Sequence, residues 1–444
     1  MTRIIKTLLI SFITLTAFYS ISADAKCVRI TKKQTGADVS GLGTGLGNIN
    51  MTSAYLQPVG TVLASSVTSW TQSPLFPDPD EVLYECDAAD KGSIFELFAT
   101  NGDDRHGGFF DIGKTDGYEN YYATWFPYTA IRFTHMNSGQ VFTRYWQRTP
   151  ITTYATTANG KIQIRVRDIS AMKVDLIKVS TLPPRSGAAS AYCGSGMAPV
   201  TGTSTYRCTQ PNAYVIFEGP TGYVYPKEGT DSAYHYEGFN YVWWMSIGMN
   251  GSPVSSYSHD ATCAARNVTP LVQLPRISAG QLKAGQTVSS AFDITVECDN
   301  AVVSGVGTAQ TSVGLQTSQE AYRKAQQLGL INSAGGVEYL LSDGYGTVSS
   351  VATGVGIRLS NAVTGQQMPF VGWSGCNGST PCSANTANQA GWFPVLSGAS
   401  SAGSSATGYT SYLIRLTATL IRLPGQQAQP GNVDAKAYVL IKVQ

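Results

Sequence analysis

The chain has 444 residues, 43% of them apolar and only 13% charged, with a formal net charge of +2. That length holds two or three domains, each large enough to bury its own core. A balance this close to zero excludes a nucleic-acid binder, which needs a concentrated basic face, and the apolar content excludes wholesale disorder.

Residues 1–25 read as a secretion leader. Arg3 and Lys6 form a basic start, Leu8 to Ala17 an apolar run, and Ala23-Asp24-Ala25 a small-x-small site with cleavage before Lys26. No later stretch reaches the roughly 18 apolar residues of a membrane helix, so an exported, soluble protein is expected. Cysteines follow at 27, 86, 193, 208, 263, 298, 376 and 382. An even number in an exported chain reads as disulfides, and without a Cys-x-x-Cys pair metal ligation is the weaker reading. Their spacing suggests neighbours in order: Cys27–Cys86, Cys193–Cys208, Cys263–Cys298 and Cys376–Cys382.

Up to Thr262 the chain is a series of short apolar and aromatic runs broken by Gly, Asn, Asp and Pro. Ile94 to Phe98, Ala130 to Phe133, Lys161 to Val166 and Tyr214 to Phe217 are such runs. They predict an all-β sandwich or barrel. Between the strands lie segments suited to sugar recognition, which needs aromatic faces and a few polar groups for the hydroxyls. The candidates are Asp103, Asp104, Arg105 and His106, then Tyr121, Tyr122 and Trp125, then Tyr145 and Trp146. The 101–106 loop ranks first because its polarity predicts exposure. A second cluster is Tyr234-His235-Tyr236 with Tyr241-Val242-Trp243-Trp244. The competing readings are that the aromatics are core and that the loop is turn chemistry. His106, His135 and His235 with Asp103 or Asp104 form an alternative metal set but lack a close-spaced pair. No metal or cofactor is expected.

Composition shifts at Cys263. Lys26 to Thr262 carries 18 basic and 20 acidic residues, against 10 and 7 from Cys263 on, and all four His precede the break. Two domains follow, 26–262 and 263–444. In the second, Ala291 to Cys298, Val337 to Leu341, Ala352 to Leu359 and Ser411 to Arg422 read as strands, with Asp343-Gly344 as a turn signal. A helix is predicted over Gln319–Leu330, capped by Thr317 or Ser318, with Ala321, Tyr322, Ala325 and Leu328 on one face. Near the end Val433, Ala435, Ala437, Val439, Ile441 and Val443 alternate strictly, predicting one buried face of a last strand. If that strand lies beside the core, its outer edge is open.

Four motifs in order carry a resemblance. Cys263-Ala-Ala-Arg266-Asn267-Val268-Thr269 with Leu274-Pro275 and Ile294-Thr295-Val296-Glu297-Cys298 comes first. Thr353 to Leu359, Leu416-Thr417-Ala418, and Gly431-Asn432-Val433 with Val443-Gln444 follow. Together they resemble the pilin domain of chaperone–usher pilus tip adhesins, type 1 pili among them, over residues 263–444. The resemblance implies an immunoglobulin-like domain lacking its final strand. A periplasmic chaperone would lend that strand, an outer-membrane usher would export the subunit, and the adjacent pilus subunit would supply a permanent donor strand. The helix and the Cys376–Cys382 loop exceed the family's usual length. Polymerising pilins carry a free extension before the first cysteine, whereas Cys27 follows the expected cleavage site directly, so a place at the fimbrial tip on the cell surface is expected.

By analogy residues 26–262 are a lectin-like receptor-binding domain for a host glycan. The type 1 mannose pocket does not transfer, because it uses an aromatic first residue where Lys26 stands here. The alternatives are a tip or initiator subunit without receptor binding, and an adhesin for a protein receptor. No Gly-x-Ser-x-Gly elbow or His-Glu-x-x-His occurs, so no enzyme is expected.

Overall fold

The computed structural model describes residues 26–33, 41–188, 193, 196–223, 225–234, 244–373 and 384–444. The leader, Cys376, Cys382, His235, Tyr236, Tyr241 to Trp243 and the side chain of Trp244 lie outside the described residues.

Short alternating runs become short strands, because β-branched and aromatic side chains suit a half-buried pleated surface. In the N-terminal part these are β1 (Val62–Thr68), β2 (Val82–Cys86), β3 (Phe95–Thr100), β4 (Thr129–His135), β5 (Ile162–Arg165), β6 (Met172–Lys178), β7 (Ala213–Glu218) and β8 (Trp244–Gly248). One sheet orders β1, β6, β4 and Tyr122–Ala123; another orders Leu42–Gly43, β8, β7, β3 and Gln147–Pro150. A third places β2 and β5 between Val28–Arg29 and Ala155–Thr156. Leu83, Phe98, Phe133, Ile164, Val174 and Val215 point into one buried cluster. In β5 the alternation is direct: Ile162 and Ile164 are buried, while Gln163 and Arg165 are not.

The C-terminal part has a larger sheet and a smaller one. The larger orders β9 (Cys263–Val268), β10 (Val288–Asp299), β14 (Tyr409–Arg422), β12 (Val355–Asn361) and Gln367–Met368, with β13 (Ala399–Ala406) also on β14. The smaller orders Phe393–Pro394, β11 (Thr311–Thr317) and β15 (Ala437–Val443). Phe292 and Ile294 of β10 lie opposite Leu416 and Ile414 of β14, and all four are buried. Gly354 enters β12 at φ +69°, where a Cβ would sit 2.0 Å from the Gln427 carbonyl oxygen, so only glycine fits.

Among the described residues three bridges join Cys27–Cys86, Cys193–Cys208 and Cys263–Cys298. Helix α1 spans Gln319–Gln327, shorter than the expected 319–330; the Ser318 hydroxyl accepts the Ala321 amide, and Ala321, Tyr322 and Ala325 are buried. Val337 to Leu341 is not a strand. It makes single bridges to Ile331, Phe370 and Ile357, which pin the chain at points without a ladder.

The last strand corrects a second expectation. Its ladder begins at Ala437, and only Val443 of the alternating set is fully buried. Ala435, Val439 and Ile441 are half-buried against the core, while Val433 and Ala437 are exposed. The physical reason is its place at a sheet edge: among the described residues β15 pairs with β11 alone.

The two parts meet at a polar clasp. Tyr55 donates its hydroxyl to Glu297 at 2.8 Å, Arg266 pairs with the same carboxylate at 2.5 Å, and Arg266 Nη2 donates to the Tyr55 carbonyl. Tyr55 packs on Tyr409 with ring centres 4.6 Å apart. Elsewhere Lys173 lies over the Trp373 ring and Gln319 of α1 reaches Met136.

Candidate functional site

The 101–108 loop leaves β3 and turns inward, which corrects the expectation of exposure. Asp103, Asp104 and His106 are 0% exposed, and Arg105 is buried too. The neighbouring segments supply the polar partners that burial demands. The Asn101 amide donates to the Asn212 carbonyl, and its side-chain Nδ2 to Gln210 and to the Pro211 carbonyl. Asn212 in turn donates to the carbonyls of His106 and Gly107. Arg105 donates to the carbonyls of Pro183 and Pro184, and the His106 amide to Asp104 Oδ1. At Gly108 a Cβ would lie 2.6 Å from that of Thr100, so the wedge needs glycine. Burial, reinforced by the Arg105 charge, lowers the His106 imidazole to about 4, and Arg105 approaches its Nε2 at 2.8 Å.

Most aromatic candidates are packing elements. Trp146, 1% exposed, joins Leu97, Ala99, Tyr214 and Ile216 in a small cluster. Tyr121 is buried beneath the Arg132 guanidinium, and buried Tyr122 accepts the Arg144 amide, its own phenol pushed up to about 12 by desolvation. Tyr145 is 49% exposed and Trp125 is half-buried. The set is therefore divided between interior and surface, because aromatic residues next to strands fill the space between sheets.

Trp125 borders a pocket of about 440 Å³ shared with Met197, Arg207, Thr209 and the Cys193–Cys208 bridge. That volume suits a small ligand. Tyr206 anchors the wall, its buried hydroxyl accepting the Trp125 amide at 3.1 Å. Sequence reasoning missed Arg207 and Met197. The available signal was a pair of cysteines closing a loop that runs without a single charge from Ser186 to Tyr206.

The histidine set does not converge among the described residues. His135 Nε2 lies 3.4 Å from Glu96 and its Nδ1 2.9 Å from Ser138, remote in partners from His106. Two groupings with metal-like spacing, Cys27–Cys86 with Asp90 and Cys193–Cys208 with Asp104, are built on cystines. Oxidised sulfurs are not thiolate ligands.

The second feature is the pair of neighbouring sheet edges on β9 and β15. These strands approach one another yet share no ladder, so each presents an edge. Leu271 is 69% exposed and Tyr438 54%, while Leu274, Val439 and Ile441 are half-buried on the core. Open apolar edges of this kind invite another strand.

Residues 253–444 match the family model described as fimbrial protein. The likeness is to a fimbrial domain and is confined to the C-terminal part. The match starts before β9, taking in Ser256–Ser258, which pairs with Asn48–Asn50 of the N-terminal part. Among solved structures, the P pilus rod subunit PapA is similar at 14% identity and a TM-score of 0.23, covering 42% of this chain and 94% of that one. The CupB6 tip adhesin from Pseudomonas aeruginosa is similar at 12% identity and 0.21, covering 94% and 92%. No curated protein matches the chain. No helix among the described residues is long and apolar enough to cross a membrane.

Proposed function

We propose that the chain is a tip adhesin of a chaperone–usher pilus. Residues 26–262 form the receptor-binding domain, and residues 263–444 form a pilin domain completed by a strand from the adjacent subunit. A periplasmic chaperone holds the groove first, and the usher carries the subunit to the surface. The observation that carries this reading is the pair of edges on β9 and β15, flanking half-buried Val439 and Ile441. Strand addition satisfies such edges with main-chain hydrogen bonds and fills the apolar pockets.

The segment directly before β9 supports the position in the fibre. It is committed to sheets, with Ser256–Ser258 paired on both sides, and is not free to act as a donor. For the receptor, the Trp125 pocket offers an indole beside polar side chains, the chemistry of a glycan site. The 101–106 loop supports that pocket from behind: an Asp104 oxygen lies within 4.8 Å of the Cys193–Cys208 sulfurs.

The test is immunogold labelling of pili together with adhesion to glycan-coated surfaces, by cells with and without the chain. Label at fibre ends and adhesion that vanishes with the chain are expected. Label along the shaft contradicts the tip assignment. Adhesion that is unchanged without the chain favours a structural subunit, and adhesion only to protein-coated surfaces favours a protein receptor.

A further inference from the structure

Building on the glycan reading above, we propose that the Trp125 pocket takes a carboxylated saccharide in preference to a neutral one. Arg207 stands exposed at its border and makes no ion pair or hydrogen bond among the described residues. A guanidinium offers a carboxylate two parallel N–H donors. The half-buried indole of Trp125 supplies the apolar face on which the sugar ring lies.

The charge pattern of the surrounding chain points the same way. Between Asp175 and Glu218 there is no acidic residue, while Lys178, Arg185 and Arg207 are basic. Arg185 lies near enough to Arg105 to add to the effect of burial in depressing the Arg105 basicity. The carboxylate behind the bridge, Asp104, is fully buried, with the His106 amide on its Oδ1. A ligand in the pocket therefore meets Arg207 across open space and Asp104 only behind the cystine. The bridge also fixes the two walls against each other, Cys193 and Met197 on one and Arg207, Cys208 and Thr209 on the other. Binding thus requires the oxidised protein.

The experiment uses full-length protein purified from the periplasm and an array of neutral oligosaccharides beside their sialylated and glucuronylated counterparts. The wild type, Arg207→Gln and Arg207→Lys are compared at equal melting temperature, which the exposed, unpartnered position of Arg207 permits. The expected result is a preference of about tenfold or more for one acidic class, abolished in R207Q and partly kept in R207K. The two acidic classes show whether a sialic or a uronic acid supplies the carboxylate. Equal binding of neutral and acidic glycans, unaffected by R207Q, overturns the charge inference and leaves the glycan reading standing. An acidic preference that survives R207Q overturns the assignment to this pocket. A blank array from folded protein overturns the glycan reading itself.

Discussion

In the N-terminal part even Asp103, Asp104 and His106 are withdrawn from solvent, whereas in the fimbrial part Leu271 and Val433 remain exposed beside β9 and β15. Residue polarity alone predicts the reverse on both counts. What decides burial is whether a segment finds partners for its backbone and a second layer above its side chains. The charged loop finds both between the 183–184 and 210–212 segments. The apolar strand lies at a sheet edge and finds one neighbour, β11.

The comparison can be broken most strongly at the cystine of the fimbrial part. Cys263 and Cys298 are 35 residues apart and opposite in register on adjacent strands. Replacing both by Ser is expected to cost about 3–4 kcal/mol. The loss falls on the part whose β9 and β15 are both sheet edges, so limited proteolysis should remove it while leaving the N-terminal part intact.

Acid tests the other side. The folded state binds the His106 proton only below about 4, whereas the unfolded chain binds it near 6.5. Between those values the unfolded chain holds more protons, so stability is complete above pH 6.5 and falls as the pH drops toward 4. The loss is of order 3 kcal/mol, and denaturant melts against pH should show it in the N-terminal transition. His106→Gln flattens that slope.

A smaller effect lies on the last strand. Burial lowers the Lys442 ammonium to about 8 from an ordinary 10.5, near the Trp392 ring. Stability of the fimbrial part therefore rises between pH 8 and 10.5, where the unfolded chain still carries the proton. Lys442→Met removes this dependence and should gain about 1–2 kcal/mol at neutral pH, read as a higher midpoint of the fimbrial transition. The smallest effect belongs to the clasp. Arg266→Ala breaks the pair with Glu297 and the contact with Tyr55, costs about 1 kcal/mol, and separates the melting of the two parts.

Much of the fimbrial part is legible in the sequence because its signals are local. Ala291 to Cys298 and Ser411 to Arg422 alternate cleanly and become β10 and β14, each longer by a few residues. Ser318 caps α1 as its side-chain chemistry requires. Val337 to Leu341 misleads because its apolar content serves packing at single bridges. The candidate site was legible only in outline. Trp125 emerged from its aromatic neighbourhood, but its pocket partners Met197 and Arg207 are over 70 residues away and joined to it by tertiary packing. Nothing local distinguishes buried Asp104 from an exposed turn aspartate. Its burial follows from Asn101, Gln210 and Asn212, which meet only in the folded chain.

The central claim is that the fimbrial part accepts a strand between β9 and β15. Its most direct test is amide hydrogen exchange on the full-length protein, with and without a synthetic peptide of alternating apolar and polar residues. The account predicts fast exchange at outward amides of β9 and β15 in the free protein and strong protection of both when the peptide is present, with β2 to β7 unchanged. Slow exchange on both strands without the peptide, and no change on adding it, would contradict the open groove.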